Sequence, residues 1–189
     1  VNEVNLLSNA EVGIFAEVGQ EFPLIKGTKF VRDPDGNIVV NADGTHKKTS
    51  TFEKLGKGVP DFIVGLTNSF DYKGIKLTVV ADYRYGASVY SEARRLMLFT
   101  GGALDTSGFD RSLGYVVPNS VQETSPGVYV TNTTPAGAAS YSGTLNYFTG
   151  NYRNTGEANV IDAAALKIRE ISLSYSLPKK LIEKTGLES

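Results

Sequence analysis

The sequence predicts an all-β chain of antiparallel strands, joined by turns and long loops and interrupted by one short helix. Four segments carry this prediction, because each alternates apolar and polar residues with the period of two that a half-exposed strand shows. The composition agrees, since 20 glycines, 10 tyrosines and 9 phenylalanines are typical of sheets with many turns. With 41% apolar and 21% charged residues, the chain has neither a disordered nor a helical-membrane composition.

The predicted strands are residues 11–18, 61–72, 75–85 and 160–177. In the second, Phe62, Val64, Leu66, Phe70 and Tyr72 share one face, and in the third, Ile75, Leu77, Val79, Ala81, Tyr83 and Tyr85 do. Lys73 and Gly74 separate these two strands, and glycine readily takes the positive φ of a tight turn. We therefore expect a hairpin here, and long connections over residues 19–60 and 86–162.

The fourth strand ends in the most regular alternation of the chain. One face carries Ile171, Leu173, Tyr175 and Leu177, and the other Ser172, Ser174 and Ser176. A lining that is polar without charge suits a strand with lipid on one side and water on the other. In a regular strand Lys167 and Arg169 share the apolar face, where a charge at mid-bilayer costs about 2–4 kcal/mol. We expect these two residues to lie above the hydrocarbon; the alternative is a β-bulge near Glu170.

Strand length and loop asymmetry favour a transmembrane β-barrel segment, which needs only about 10 alternating residues per strand. Short turns at one end and long loops at the other are typical of such barrels. Aromatic residues also fall near both strand ends, as at membrane interfaces. They are Phe70, Tyr72 and Tyr175 at the short-turn end, and Tyr83 and Tyr85 at the long-loop end. Alternation also fits a soluble antiparallel sandwich, so both architectures remain open on these grounds.

Residues 88–100 predict the one helix, with Ser88 as its N-cap and Gly101 as its stop. Its apolar stripe would consist of Val89, Ala93, Leu96 and Met97. Arg94 and Arg95 on this helix are candidates for contact with an anionic ligand, although such a pair often only solvates an outer face.

Residues 141–153 are rich in tyrosine, asparagine and glycine, a composition that suits contacts with sugars or peptides. The alternative is a mobile surface loop whose aromatic side chains pack among themselves. The candidate ligand-contact residues of the whole chain are Tyr90, Arg94, Arg95, Tyr141, Tyr147, Tyr152 and Arg153.

The remaining motifs give little support to metal binding or catalysis. Residues 32–37 and 41–44 hint at calcium but lack the full loop spacing, so two turns around a short strand at 38–40 explain them better. His46, the only histidine, lies in a polar stretch, and we expect a solvated loop residue. Since no nucleophile, metalloprotease or phosphate-loop motif is present, we expect no enzyme activity, no cofactor and no bound metal.

Charge and the chain's first residues narrow the possible partners and location. Nineteen basic and 20 acidic residues nearly cancel without a basic patch, so we expect no nucleic-acid partner. No cysteine is present, which excludes disulfides and thiolate metal sites. The sequence contains no run of about 18 apolar residues, so it predicts no transmembrane helix. Residues 1–12 lack the features of a signal peptide, and we expect the natural protein to have a segment before them.

Four sequence segments, which follow one another in the order found in the family, resemble the SusC/RagA family of TonB-dependent outer-membrane transporters. They are IKGTKFVRDPDGN at 25–37, LGKGVPDF at 55–62, FDYKGIKL at 70–77 and DAAALKIREISLSYSLP at 162–178. Ala164 and Ala165 depart from the family, which usually has serine and an aromatic residue there. The resemblance implies that residues 1–189 are a fragment from the C-terminal half of a 22-stranded barrel, with outer loops at about 19–60 and 86–162. The plug domain and the TonB box would be absent from this fragment.

The resemblance further implies a function at the cell outer membrane. Such transporters import a glycan or peptide nutrient, powered through the TonB complex. A SusD-like surface lipoprotein would close over the outer loops, and the lipid bilayer would surround the strands. The alternative is a soluble surface β-sandwich that binds glycan or mediates adhesion without transport.

Overall fold

The computed structural model describes residues 2–9 and 11–178 and is built mainly from strands. The strands are β1 (Glu3–Ser8), β2 (Val12–Glu17), β3 (Leu24–Gly27), β4 (Ile38–Val40), β5 (Glu53–Lys57), β6 (Phe62–Tyr72), β7 (Ile75–Tyr85), β8 (Ser88–Tyr90), β9 (Ser120–Ser125), β10 (Val128–Thr131), β11 (Val160–Asp162) and β12 (Ala165–Tyr175). The helices are α1 (Glu92–Thr100), α2 (Tyr141–Asn146) and α3 (Gly156–Asn159), with a π-helical turn at Tyr147–Asn151 and 3-10 turns at Leu104–Thr106 and Tyr152–Asn154. The fold is all-β with mostly antiparallel sheets, as predicted, but the described residues contain three helices where one was expected.

Helices play a minor part in this architecture. The longest one described, α1, has nine residues. Within residues 2–9 and 11–178, no helix has the length and apolar character that a bilayer-spanning helix requires.

The chain divides into two compact units. The first, called the mixed unit, contains the chain up to Val59 together with Ser88–Asp162. The second, called the sheet unit, contains Pro60–Ala87 and residues 163–178. The two predicted long loops therefore contain strands and helices of their own and contribute to a folded unit.

The sheet unit is a three-stranded antiparallel sheet in the order β12-β7-β6. Each of its strands has 11 residues, and β6 and β7 pair without interruption along all of them. Lys73 and Gly74 form the two-residue turn, with φ of 49° and 82°. Positive φ at both positions is the requirement of a type I′ hairpin turn, so the predicted hairpin is confirmed.

A β-bulge at Arg169 interrupts the pairing of β12 with β7. Ile168 pairs with Ala81 and Glu170 with Val80, so Arg169 is an extra residue between two adjacent pairs. One extra residue reverses the faces of the strand on either side of it, because side chains alternate with a period of two.

The bulge places both cationic side chains of β12 on the polar face of the sheet. Lys167 lies opposite Asp82, and Arg169 forms an ion pair with the same carboxylate. Our preferred expectation, that the two cations share the apolar face above the hydrocarbon, is therefore wrong, and the bulge alternative is correct. Leu166 and Ile168 instead continue the apolar face, opposite apolar or aromatic residues of β7.

The predicted strand at residues 11–18 is too short to cross a membrane. β2 has six residues, whereas a membrane-crossing strand needs about 9–11. It belongs to a four-stranded antiparallel sheet of the mixed unit, in the order β1-β2-β3-β5, and buries Val12 and Phe15. Among the described strands, only β6, β7 and β12 reach the required length. Three of the four predicted strands are therefore long enough to cross a membrane.

The mixed unit has a hydrophobic core that joins its helices to its small sheets. The buried members are Val40, Leu98, Ala103, Val117, Ala136, Tyr147 and Phe148. A three-stranded sheet, β10-β9-β4, contributes to this core, with β4 and β9 paired in parallel. β8 and β11 pair separately.

Helix α1 starts later than predicted and ends where predicted. Its N-cap is Ser91, whose hydroxyl accepts a hydrogen bond from the Arg94 N–H at 3.1 Å. Ser88 instead begins strand β8. Gly101, with a φ of 74°, ends the helix in the left-handed conformation that favours glycine.

The side chain that α1 buries is Leu98, which is 1% exposed. Leu96 and Met97 are 51% and 48% exposed, so the predicted apolar stripe is wrong. Val89, the first residue of the predicted stripe, lies in strand β8 and not in the helix. The spacing counted from Val89 therefore does not identify the side of α1 that is buried.

We predict that Leu98→Ala lowers the free energy of unfolding by about 2–5 kcal/mol, because the substitution leaves a cavity in a closely packed core. Leu96→Ala, on the exposed side of the same helix, serves as the matched control and should change it by less than about 0.5 kcal/mol. Urea unfolding followed by tyrosine fluorescence measures both. Equal losses in the two variants would contradict the placement of Leu98 in the core.

Candidate functional site

The sheet unit has one largely apolar face, in which Asn68 near the middle of β6 is the polar member. Directly paired residues lie on the same side of an antiparallel sheet, so the register defines this face. Its members are Phe62, Val64, Leu66, Asn68, Phe70 and Tyr72 of β6, Ile75, Leu77, Val79, Ala81, Tyr83 and Tyr85 of β7, and Leu166, Ile168, Ile171, Leu173 and Tyr175 of β12. The face is not covered: Leu66 is 57% exposed and Leu173 is 73% exposed.

Aromatic rings occupy both ends of this apolar face, as predicted. At the end of the sheet opposite the hairpin turn, the Phe62 ring stacks on Tyr85 at 5.4 Å and lies 6.1 Å from Tyr83. At the hairpin end, Tyr72 and Tyr175 both pair with Ile75. An 11-residue strand tilted by about 40° spans about 25 Å, which is the height of the apolar band of a transmembrane barrel.

The opposite face is polar, and its groups bond to one another. Ser69 and Thr78 share a hydrogen bond of 3.1 Å, and Ser172 lies opposite the same threonine. Asp82 lies 3.6 Å from Arg84 and also pairs with Arg169. A face of this kind tolerates water, whereas the apolar face does not.

The two outer strands of the sheet have open edges. β6 and β12 each pair only with β7 within the described part of the chain. The outward N–H and C=O groups of such strands can pair with further strands. The sheet unit thus combines an uncovered apolar face with two edges that can be extended.

The predicted anion-binding arginines are engaged inside the mixed unit. Arg94 donates from Nε to the Ala158 carbonyl at 2.7 Å and forms an ion pair with Asp105. Arg95 pairs with Glu92 at 3.1 Å and donates to the Asn154 side chain at 3.2 Å. Their charges are therefore neutralised within the fold, and anchoring of the helix is the role that the structure shows for them.

Residues 141–153 are helical and do not form a loop, but aromatic side chains of this segment pack among themselves, as the alternative interpretation expected. Tyr147 is 2% exposed and belongs to the core, where its ring lies 5.1 Å from that of Phe148. Tyr152 donates to Asp105 at 3.1 Å. Burial and the nearby Asp105 carboxylate raise the pKa of Tyr152 to about 12. Both tyrosines stabilise the fold; Tyr147 is buried and not available for ligand contact, whereas Tyr152 is half-buried.

The other three candidates differ in their surroundings. The Tyr90 hydroxyl donates to Glu92 at 2.9 Å, and burial together with this carboxylate raises the pKa of Tyr90. The Arg153 guanidinium lies over the Phe99 ring, 4.6 Å from its centroid. Tyr141 is 56% exposed and lines a cavity, so it is the candidate that combines exposure with a concave surface.

The cavity beside Tyr141 lies between α1 and α2, has an open mouth and has a volume of about 80 Å³. Its lining includes Leu98, Phe99, Arg111, Leu145 and Phe148. Sequence reasoning missed Arg111, because an isolated arginine in a glycine- and serine-rich segment carries no recognisable motif.

The two aspartate-containing segments form turns on either side of β4, which confirms the turn interpretation. The Asp33 carboxylate accepts hydrogen bonds from the backbone N–H groups of Asp35 at 3.0 Å and Asn37 at 2.8 Å. Asp43 accepts from the Thr45 N–H at 3.0 Å. Aspartate oxygens that bond to the backbone two or more residues ahead are typical of turns.

His46 is buried, so the expectation of a solvated loop residue is wrong. It is 2% exposed, and the Phe30 ring packs edge-on against it at 4.6 Å. Its ring nitrogens contact Tyr147 Oη at 3.2 Å and Thr155 Oγ1 at 2.8 Å. The polar neighbours of His46 in sequence point elsewhere, and only the tertiary structure brings these aromatic residues around it.

The hydrogen bonds of His46 fit the neutral imidazole. Thr155 donates its hydroxyl proton to the Asn151 carbonyl at 3.3 Å, so it accepts from His46 Nε2–H. Nδ1 is then free to accept from the Tyr147 hydroxyl. Burial, assisted by the charge of Lys48, lowers the pKa of His46 to about 4.

We predict a pH-dependent loss of stability that this one residue causes. Because folding lowers the pKa of His46 from 6.5, the unfolded chain binds its proton more readily, and stability falls as the pH drops from 6.5 toward 4. The loss between pH 7 and pH 5 should be about 2 kcal/mol. Urea unfolding across this range measures it.

His46→Gln is the control, since glutamine keeps two polar groups but does not titrate. Its free energy of unfolding should depend less on pH, by about the same 2 kcal/mol over that interval. A wild-type protein and a variant with parallel pH profiles would show that His46 titrates normally in the folded state.

No protein-family model matches this chain. No curated protein is significantly similar to it in sequence either.

Proposed function

We propose that this chain is part of a TonB-dependent outer-membrane transporter of the SusC/RagA type and that β6, β7 and β12 belong to the wall of its β-barrel. The observation that carries the proposal is the uncovered apolar face of the sheet unit, opposite a polar face on the same three strands. In a barrel wall the first face meets lipid and the second meets the water-filled interior.

Bilayer physics supports the same assignment for the open strand edges. In hydrocarbon every backbone N–H and C=O group must be paired, and among sheets only a closed barrel leaves none free. β6 and β12 would then pair with further strands of a larger barrel, which for this family has 22 strands. The equal length of the three strands and the aromatic rings at both ends of the sheet agree with that role.

The proposed activity is active import of a glycan or peptide nutrient. The energy would come through the TonB complex, and a SusD-like surface lipoprotein would act as the partner that closes over the cargo. These functions rest on the resemblance of the sequence to the family. The mixed unit, which contains the segments corresponding to the outer loops, would supply contacts to the cargo.

A soluble surface β-sandwich that binds glycan or mediates adhesion receives less support. A sandwich buries one face of each sheet against a second sheet. In β12, by contrast, Ile171 and Leu173 are 65% and 73% exposed, and the serines of the other face are also accessible.

Cysteine labelling tests the two faces directly, because the chain contains no native cysteine. We predict that Ser172→Cys, in the full-length protein within outer membranes, reacts with a water-soluble maleimide. Leu173→Cys should react at least about tenfold more slowly, because lipid excludes the reagent from its face.

Both variants should label equally after denaturation in detergent, which controls for expression and intrinsic reactivity. A sandwich would also shield Leu173→Cys, because it buries one face of each sheet against a second sheet. A lipid-soluble maleimide separates the two architectures: it should label Leu173→Cys rapidly if this side chain faces lipid. Slow labelling of Leu173→Cys by both reagents, or rapid labelling of both cysteines by the water-soluble one, would contradict the barrel assignment.

Growth experiments test transport. A strain that lacks the gene should grow poorly on one glycan or peptide from a panel of nutrients, and the intact gene should restore growth. Loss of TonB should abolish the restored growth, since import depends on that energy source. Normal growth of the deletion strain on every nutrient would count against import as the function.

A further inference from the structure

Arg111 carries a positive charge that the described chain does not neutralise. Its Nε and Nη2 both donate to the Thr106 carbonyl, at 3.0 and 2.6 Å. The acidic residues nearest in sequence have other partners: Asp105 pairs with Arg94, and Asp110 accepts from Ser112. No carboxylate among the described residues lies within ion-pair distance of Arg111.

The geometry of the guanidinium leaves one edge free. A guanidinium has five N–H donors in a fixed plane, and the Thr106 carbonyl occupies the edge between Nε and Nη2. No hydrogen bond among the described residues uses Nη1, so the edge formed by Nη1 and Nη2 still has donors to offer. This end of the side chain lies at the cavity between α1 and α2, beside Gly101, where an added methyl carbon would stand 3.7 Å from Nη1.

The rest of the cavity is largely apolar and aromatic. Leu98 and Phe148, 1% and 4% exposed, form its floor, while Phe99 and Tyr141 lie at its mouth and are more than half exposed. A concave apolar surface with a single charged group is a typical small-molecule or side-chain site. It selects a ligand that joins an apolar group to an anion over a short distance.

We propose that this cavity binds the C-terminal residue of a peptide whose last side chain is apolar. The α-carboxylate accepts two hydrogen bonds from Nη1 and Nη2 of Arg111, as carboxylates do from arginine in charge-assisted pairs. The adjacent side chain packs between Phe99, Tyr141 and Leu145, above the floor of the cavity. This assignment deepens the proposed function and rests on it for the role of the peptide as cargo.

The hydroxyl groups of the cavity favour a peptide over an acidic sugar. Thr106 Oγ1 already donates to the carbonyls of Gly101 and Ala103, at 2.8 and 2.6 Å. Thr144 Oγ1 donates to the Arg111 carbonyl at 3.4 Å. Both hydroxyl protons are therefore used within the fold, and a uronic acid would find few hydrogen-bond donors for its several hydroxyl oxygens. Polar groups left unpaired on binding oppose it.

Calorimetry on the full-length protein in detergent tests the proposal with N-acetyl-Ala-Ala-Phe, its C-terminal amide and digalacturonate. The free acid should bind at least about tenfold more tightly than the amide, which lacks the charge that pairs with Arg111. Arg111→Gln should remove that difference. Arg32→Gln is the matched control, since Arg32 pairs with Glu157 at 2.7 Å outside the cavity.

A second variant keeps the test independent of any folding defect in Arg111→Gln. Leu145→Trp introduces a larger ring from a position that is 44% exposed, so it should fill the cavity and abolish binding while Arg111 stays intact. Equal binding of acid and amide, or no binding of either, would overturn the proposal. Arg111-dependent binding of digalacturonate alone would overturn the peptide assignment.

These outcomes are separate from those of the proposed function. Binding to the cavity is measured in solution and does not require insertion into a membrane or TonB. Failure of the peptide to bind would leave the cysteine labelling of the sheet unit unaffected. Failure of that labelling would leave the cavity and its ligand as measured.

Discussion

The apolar face of the sheet unit needs a partner that the described chain does not provide. Side chains such as Leu66 and Leu173 are more than half exposed, and water disfavours so continuous an apolar surface. The outer edges of β6 and β12 add unpaired backbone groups. Lipid against the face and neighbouring strands at the edges resolve both problems together, and this requirement underlies the proposed barrel.

The β-bulge at Arg169 is what makes that face continuous. Without the extra residue, Lys167 and Arg169 would extend the row of Ile171 and Leu173 and bring two charges to the apolar face. With it, both cations meet Asp82 on the polar face. A local irregularity of one residue thus keeps charge off the apolar face, and bulges are common at sheet edges and barrel rims.

The mixed unit satisfies most of its polar groups internally, and this defines where a ligand can act. Arg94 and Arg95 have carboxylate partners, and the buried His46 has a hydroxyl on each ring nitrogen. Arg111 differs, because its carbonyl partner fixes the side chain without neutralising its charge. A fixed and uncompensated cation beside an apolar cavity is therefore the feature of this unit that is best suited to bind an anion.

The sequence by itself determined the all-β class, the Lys73–Gly74 hairpin, the faces of β6 and β7, the end of α1 at Gly101 and the turns around β4. These features follow from period-two alternation and from local backbone preferences, which act between near neighbours. Only the tertiary structure decided that Leu98 is the buried side chain of α1, that His46 is enclosed by aromatic rings, and that Arg94 and Arg95 are paired while Arg111 is not. Each of these depends on contacts between residues distant in sequence, whose partners no local pattern specifies.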